Sequence, residues 1–269
     1  MTESPAPAQT RPLALVTGAS SGIGLELARQ FADHGYDLVV AAEDEHIQRV
    51  GGEFAAAGTW VDPVRVDLTT SAGVEQLWHA VGSAGRPLAA AALNAGIGQG
   101  GDFATQTPLE AELRIVDLNV RSTVHLAKLV AAHMTTQGAG RILVTASIAA
   151  QMPGTYQTVY NASKAFTQSF AEGLREELAE QGVTVTALMP GPTDTNFFHR
   201  ARMDDTPVGQ SDKDDPADVA AQGFEALMRG DEKVVAGSLM TKAQGMANRV
   251  LPDSVKAKMH KKMADPGRG

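Results

Sequence analysis

The sequence predicts an open, doubly wound α/β domain with a mostly parallel sheet, and three observations carry that prediction. Short apolar runs alternate with amphipathic, helix-length segments along nearly the whole chain. The first run leads directly into a glycine-rich turn, Gly18-Ala19-Ser20-Ser21-Gly22-Ile23-Gly24, and then into a helical pattern. No internal repeat breaks the alternation over 269 residues, and a hydrophobic fraction of 43% suffices for one large core. The expected architecture is a single domain of seven mainly parallel strands with helices on both faces.

Leu13 to Thr17 is the first strand, a continuous apolar run of the kind buried on both faces. The turn after it lies where strand, glycines and helix together suit a phosphate. Gly18 and Gly22 let the backbone turn and approach a diphosphate, and Gly24 lets the helix pack on the strand. The helix from Leu25 ends at Gly35. Asp37 to Ala42 is the second strand, followed by Glu43, Asp44 and Glu45. An acid at this point, about 20 residues past the glycines, is placed for a ribose 2′-hydroxyl and would repel a 2′-phosphate. Trp60 to Val66 is a third strand; Pro63 cannot donate to a ladder, so it belongs at an edge. Asp67-Leu68 closes it, a helix follows from Ala72 to Val81, and the fourth strand, Leu88 to Leu93, ends in Asn94-Ala95-Gly96.

A long helix is expected from Leu109 to about Gln137, stopped by Gly138, with a core stripe of Leu113, Val116, Val120, Val124, Ala127 and Val130. Asn119 falls inside that stripe, where a buried amide needs a partner. Arg141 to Ser147 starts as a strand, loops through Pro153 and Gly154, and enters a helix with Tyr160 and Lys164 one turn apart. Val183 to Met189 is the sixth strand, ending in Pro190-Gly191-Pro192-Thr193-Asp194-Thr195. No clean periodicity survives from Asn196 to Asp215, which marks residues 192–215 as a lid or binding loop. A helix from Pro216 to Met228 and a strand from Lys233 to Ala236 finish the core. Residues 1–11 form a polar, proline-rich lead-in expected to be disordered, and the domain occupies 12–237. Residues 238–269 form a basic helical tail carrying Lys242, Arg249, Lys256, Lys258, Lys261 and Lys262. Met240, Ala243, Ala247 and Val250 mark its expected packing face, with the basic side solvated.

Composition narrows the functions. A net charge of −8 gives no electrostatic reason to bind nucleic acid, and no run is long enough to span a membrane. The chain has no cysteine, which removes thiolate chemistry, and its seven histidines form no metal-binding cluster. No export signal is apparent, so the cytoplasm is the expected compartment.

The Tyr160–Lys164 pair carries chemistry. A free phenol titrates near ~10. An ammonium about 5 Å away at an effective dielectric near 20 is worth roughly 3 kcal/mol, or about two pKa units. That would bring the phenol into acid–base range. The turn admits a rival, because Gly18-x-Ser20-x-Gly22 is also the nucleophile elbow of a hydrolase. In that reading Ser20 is an esterase nucleophile and His199 the only loop histidine in the right order.

Thr17-Gly18-x-x-x-Gly22-x-Gly24, Asp67-Leu68, Asn94-Ala95-Gly96, Asn119, Ser147, Tyr160-x-x-x-Lys164 and Pro190-Gly191 occur together in this order. In that set the chain resembles the short-chain dehydrogenase/reductase family from about Leu13 to Ala236. The resemblance implies a Rossmann-type fold and an oxidoreductase acting on a small carbonyl or alcohol substrate. It makes Tyr160 the catalytic acid–base and Lys164 the group that lowers its pKa and holds the nicotinamide ribose. Ser147 polarises the substrate carbonyl, and Asn119 holds a water linked to Lys164. The cofactor would lie along Gly18, Ser20, Ser21, Gly22, Ile23, Gly24, Glu43, Asp67, Leu68, Asn94, Ala95, Gly96, Pro190, Gly191, Thr193 and Thr195. Asp67 would accept from the adenine amino group and Thr193 would bond the carboxamide. Ile148, Met152, Tyr156, Phe197 and Phe198 stand where family substrate pockets form. Relatives using NADP commonly carry Arg where Glu43 stands, and many using NAD carry Asp where Ala42 stands. Neither pattern is met, so NAD is favoured through Glu43 and NADP is kept as the alternative. A homo-oligomer, dimer or tetramer, on the two long helices is the family expectation. A nucleotide-sensing protein without catalysis is a third reading.

Overall fold

The computed structural model describes residues 11–265, and of 246–250 the backbone alone. The expected lead-in therefore lies almost wholly outside the described residues. Seven strands form one all-parallel sheet: β1 (Leu13–Thr17), β2 (Asp37–Ala42), β3 (Val61–Arg65), β4 (Leu88–Leu93), β5 (Gly140–Thr145), β6 (Val183–Pro190) and β7 (Lys233–Ala236). Their order is β3-β2-β1-β4-β5-β6-β7, which puts proline-bearing β3 at the expected edge. The winding direction reverses between β1 and β4, which opens a crevice above their carboxyl ends.

Alternation along the strands divides the core into two layers. Leu13, Leu15, Ala91, Ile142 and Val144 face one layer. It is closed by α3 (Ser71–Ser83), α5 (Thr123–Gln137) and α6 (Thr158–Leu178). Ala14, Val16, Leu38, Ala92 and Leu143 face the other. That side is covered by α1 (Gly22–Asp33), α2 (His46–Ala56) and α9 (Pro216–Arg229), with α4 (Leu109–Ile115), α7 (Phe197–Arg200) and α8 (Pro207–Gln210) elsewhere in the chain order. Phe31 of α1 meets Phe224 of α9 edge to face, centroids 5.2 Å apart. Asp215 caps α9 by accepting from Ala217 N, with Pro216 in the first turn.

Two expectations are corrected. The helix from Leu109 to Gln137 passes through a π segment, Val116–Ser122, so its faces do not follow one period. Its buried face is Ile115, Asn119, Ser122, Leu126 and Val130, whereas Leu113, Val116 and Val124 are exposed. In the tail, α10 (Leu239–Val250) buries Thr241 and Gly245 and exposes Met240 and Ala243. The side chains of Ala247, Arg249 and Val250 lie outside the described residues. No helix among the described residues is long and apolar enough to cross a membrane.

Candidate active site

A cavity of about 840 Å³ opens over the crevice and runs from the glycine turn to the tail. Its floor is stitched by side chains at the strand ends. Thr17 Oγ1 accepts from the backbone N–H groups of Asn94 (2.9 Å) and Ala95 (3.0 Å), and Asn94 Nδ2 donates back to Thr17 O at 3.1 Å. Thr145 Oγ1 donates to Asn94 Oδ1 at 3.0 Å, which ties β5 into the same knot. Lys164 Nζ then donates to Thr145 O at 2.9 Å. The Asn-Ala-Gly stretch therefore locks three strand ends together and shapes the floor.

At one end, Gly18 (φ +67°) and Gly22 (φ +57°) turn the chain in the left-handed region, which an L side chain rarely enters. Ser21 precedes α1 but makes no capping bond. Its hydroxyl accepts instead from Arg200 Nη2 of α7 at 3.1 Å, which leaves the first-turn N–H groups free for an anion. Ser20 Oγ donates to Asp44 Oδ2 at 2.8 Å, and Glu43 pairs with Arg114 of α4 at 2.5 Å. The same Arg114 stands 3.8 Å from Asp67, so one guanidinium spans the two acids. Asp67 is held below its ordinary range: its slight burial works against this, but hydrogen bonds from Thr69 and the charge of Arg114 prevail.

At the other end, α6 presents Tyr160 and Lys164, both buried. The Lys164 ammonium lies 5.9 Å from the Tyr160 ring centroid, and the ring leans on Phe197 at 5.1 Å. Burial pushes the Tyr160 phenol up to about 12, and only the neighbouring Ser147 hydroxyl pulls it down. Burial also lowers Lys164 to about 8. The expected lowering of the phenol is thus reversed here: desolvation dominates, and the ammonium is directed to the Thr145 carbonyl. Ser147 Oγ accepts from Ala149 N at 3.1 Å and donates to Pro190 O at 3.4 Å.

Except for Asn119 and Tyr156, every residue expected at the site lines this cavity. Asn119 stands behind the wall: Oδ1 accepts from Ile97 N at 2.9 Å, and Nδ2 donates to Ile97 O and Ser163 Oγ, each at 2.9 Å. Its amide is satisfied by protein groups. Tyr156 takes a left-handed backbone (φ 66°), and its ring lies 6.0 Å from the Lys261 ammonium outside the cavity wall. The esterase triad does not assemble, because Ser20 is bonded to Asp44 while His199 is exposed and bonded to Asp204 at 3.1 Å.

The stretch 192–215 is pinned at its base, where Asp194 N donates to Asp214 O and Asp214 N to Pro192 O, both 2.8 Å. Two short helices, α7 and α8, sit within the stretch that showed no periodicity. Sequence reasoning also missed Arg114, Arg200 and His260, whose partners lie far away in the chain. The tail is not a plain surface helix, since α11 (Asp253–Ala264) brings His260, Met263 and Ala264 into the cavity wall.

A cleft that begins at an anion-binding turn and ends at a phenol–ammonium pair is the architecture of a dinucleotide-dependent enzyme. Known proteins narrow the class. The profile of the short chain dehydrogenase family matches residues 12–206. The probable oxidoreductase EphD of Mycobacterium tuberculosis is 34% identical over 212 residues, 75% of this chain, and the chain spans 36% of that protein's length. A short-chain dehydrogenase from Sphingobium yanoikuyae in complex with NADPH has a TM-score of 0.77 at 30% identity, covering 83% of this chain and 87% of that one. A short chain dehydrogenase/reductase from Burkholderia phymatum in complex with NAD has a TM-score of 0.79 at 26% identity, covering 95% and 97%. The chain belongs to the short-chain dehydrogenase family.

Proposed function

We propose that the protein interconverts a ketone and a secondary alcohol with a nicotinamide dinucleotide, NAD favoured over NADP. The observation that carries this reading is the buried Tyr160–Lys164 pair in the wall of the cavity that the glycine turn opens. The residues fit the cofactor. A Cβ on Gly22 would meet Thr195 Cγ2 at 2.8 Å, and one on Gly96 would meet Lys164 Nζ at 3.2 Å, so a side chain at either position would press on a residue expected to hold the cofactor. Gly18, Ser20, Ser21, Gly22, Ile23 and Gly24 would hold the diphosphate. Glu43 and Asp44 would hold the ribose, and Asp67 with Leu68 the adenine. Asn94, Ala95, Gly96, Pro190, Gly191, Thr193 and Thr195 would surround the nicotinamide half. When bound, the nicotinamide gives or takes the hydride.

The chain's own residues handle the proton. A phenol raised to about 12 is protonated at neutral pH and stands ready as the acid that donates to a developing alkoxide. Ser147 would orient the carbonyl with its hydroxyl. Lys164, with a pKa of about 8, is largely cationic at pH 7 and favours the phenolate that remains. Asn119 would act as a positioning residue, bracing Ile97 against α6. Ile148, Met152, Phe197 and Phe198 give the substrate end an apolar wall, which suits a partly apolar molecule.

A homo-oligomer is part of the proposal. The outward face of the long helix leaves Leu109, Leu113, Val116 and Val124 exposed at 63%, 51%, 40% and 39%, a surface suited to a second copy. Parallel titration with NADH and NADPH, followed by a ketone panel, tests the activity. Tight nucleotide binding with no turnover of any ketone or alcohol would replace the enzyme by a sensor.

A further inference from the structure

The tail lies beyond the stretch that the family profile matches, 12–206, yet it supplies one wall of the cavity. Pro252 separates α10 from α11 and turns the second helix back over the loop that precedes α6. Three contacts hold it there. Lys256 Nζ donates to Gln151 O at 2.8 Å, Thr155 Oγ1 donates to Ala257 O at 3.2 Å, and His260 Nδ1 lies 2.9 Å from Thr155 O. Ala264 packs with Phe198, Ala201 and Met203 of the lid.

His260 is 5% exposed and lines the cavity. A backbone carbonyl can only accept, so Nδ1 carries the hydrogen in that bond. Burial lowers the ring's pKa from its ordinary value, which keeps it neutral at pH 7. Nε2 is then a bare lone pair. Among the described residues it has no hydrogen-bond partner, and unlike His133 Nε2 it is not sealed from solvent. Gln157, another polar residue of the cavity wall, is otherwise engaged, since its Nε2 donates to Met203 Sδ at 2.9 Å.

Anchoring the tail accounts for Nδ1 and leaves Nε2 unexplained. Lys256 and Thr155 already fasten α11 to the same loop, so the anchor does not need an imidazole. An acceptor in a wall that also carries Met152, Phe198 and Met263 adds a directional contact to a largely apolar lining.

We infer that His260 is a specificity-determining group whose Nε2 accepts a hydrogen bond from a hydroxyl or N–H on the part of the substrate remote from its carbonyl. This rests on the ketone–alcohol reading above. It selects ketones and alcohols with an apolar body and a distal neutral donor. A carboxylate at that end would meet the lone pair with its own and is disfavoured.

The test uses methyl ketones of increasing chain length, each paired with its ω-hydroxy analogue. kcat/KM is measured for the wild type, His260→Phe and His260→Gln with saturating NADH or NADPH. At one chain length the wild type should prefer the hydroxy analogue by about tenfold over the trend of its neighbours, chiefly through KM. His260→Phe should lose that preference, and His260→Gln, whose amide can both donate to Thr155 and accept, should keep part of it. The preference is internal to each variant, so any loss common to both ketones cancels. No preferred length in the wild type, or the same preference in His260→Phe, overturns the inference and leaves the ketone–alcohol reading intact. If His260→Phe does not fold, a wild-type preference that His260→Gln loses entirely or keeps undiminished overturns it equally. Failure of the wild type to turn over any ketone of the series overturns the reading beneath it, and the inference with it.

Discussion

Replacing Gly24 by alanine probes the turn on which the proposed nucleotide binding rests. Gly24 is in the first turn of α1, and a Cβ there would fall 2.1 Å from Gly18 O and 2.6 Å from Asn94 Nδ2. A close carbon–oxygen contact is about 3.3–3.6 Å, so the turn carbonyl would have to retreat by about 1 Å. Neither neighbour yields easily. Gly18 O is backbone, and the Asn94 amide is bonded to Thr17 and Thr145. Overpacking of this kind costs about 1–3 kcal/mol, and rigid neighbours put Gly24→Ala near about 3 kcal/mol. For a domain of this size the melting temperature should fall by roughly 6–10 °C. The matched control is Gly52→Ala inside α2, where nothing lies within 4 Å of the added carbon. That change should stabilise by about 0.5–1 kcal/mol. Calorimetry of both variants gives the first readout and fluorescence titration with NADH the second. Gly24→Ala should weaken NADH at least about tenfold, a change of roughly 1.4 kcal/mol, because the displaced carbonyl belongs to the diphosphate turn. A variant with wild-type melting and wild-type NADH affinity would refute this account of the turn.

Two further outcomes follow from the charges in the cavity. Burial lowers Lys164 from 10.5 to about 8. Between those values the unfolded chain holds a proton that the folded chain has released, so this group makes the fold more stable as pH rises from about 8 towards 10.5. Lys164→Met should lack that slope, separating the two stability curves by about 3 kcal/mol across the window in denaturant titrations; parallel curves would contradict it. Asp44→Asn removes one charge at the ribose end while keeping a partner for Ser20. NADPH affinity should rise about tenfold, or roughly 1.4 kcal/mol, with NADH little changed, and an unaltered NADPH constant would remove Asp44 from cofactor selection.

The strands and the glycine turn were legible because their signals are local. Buried parallel strands read as unbroken apolar runs, and glycine and proline punctuate them, so even the edge position of β3 followed from Pro63. The π segment was not legible, since the residue it adds per turn leaves no mark on a 3.6-residue period. The expected stripe therefore holds at Asn119, Ala127 and Val130, which are buried, and fails at Leu113, Val116 and Val124, which face outward. The tail misled for a different reason: its helices are held by hydrogen bonds from the Lys256 ammonium, His260 and Thr241, while the apolar Met240 stands exposed. Site residues with a fixed spacing, Tyr160 and Lys164 above all, could be found from sequence. Arg114 with Glu43 and Arg200 with Ser21 could not, because 71 and 179 residues separate the partners.

Single-turnover reduction of a ketone by the Tyr160→Phe variant asks whether the Tyr160 hydroxyl supplies the proton, with nucleotide affinity recorded on the same preparation. Phenylalanine keeps the ring against Phe197 and removes only the hydroxyl. The account predicts that NADH still binds within about threefold of wild type, or roughly 0.7 kcal/mol, while reduction slows by at least about a hundredfold. A Tyr160→Phe variant that reduces ketones at the wild-type rate would show that the proton comes from elsewhere.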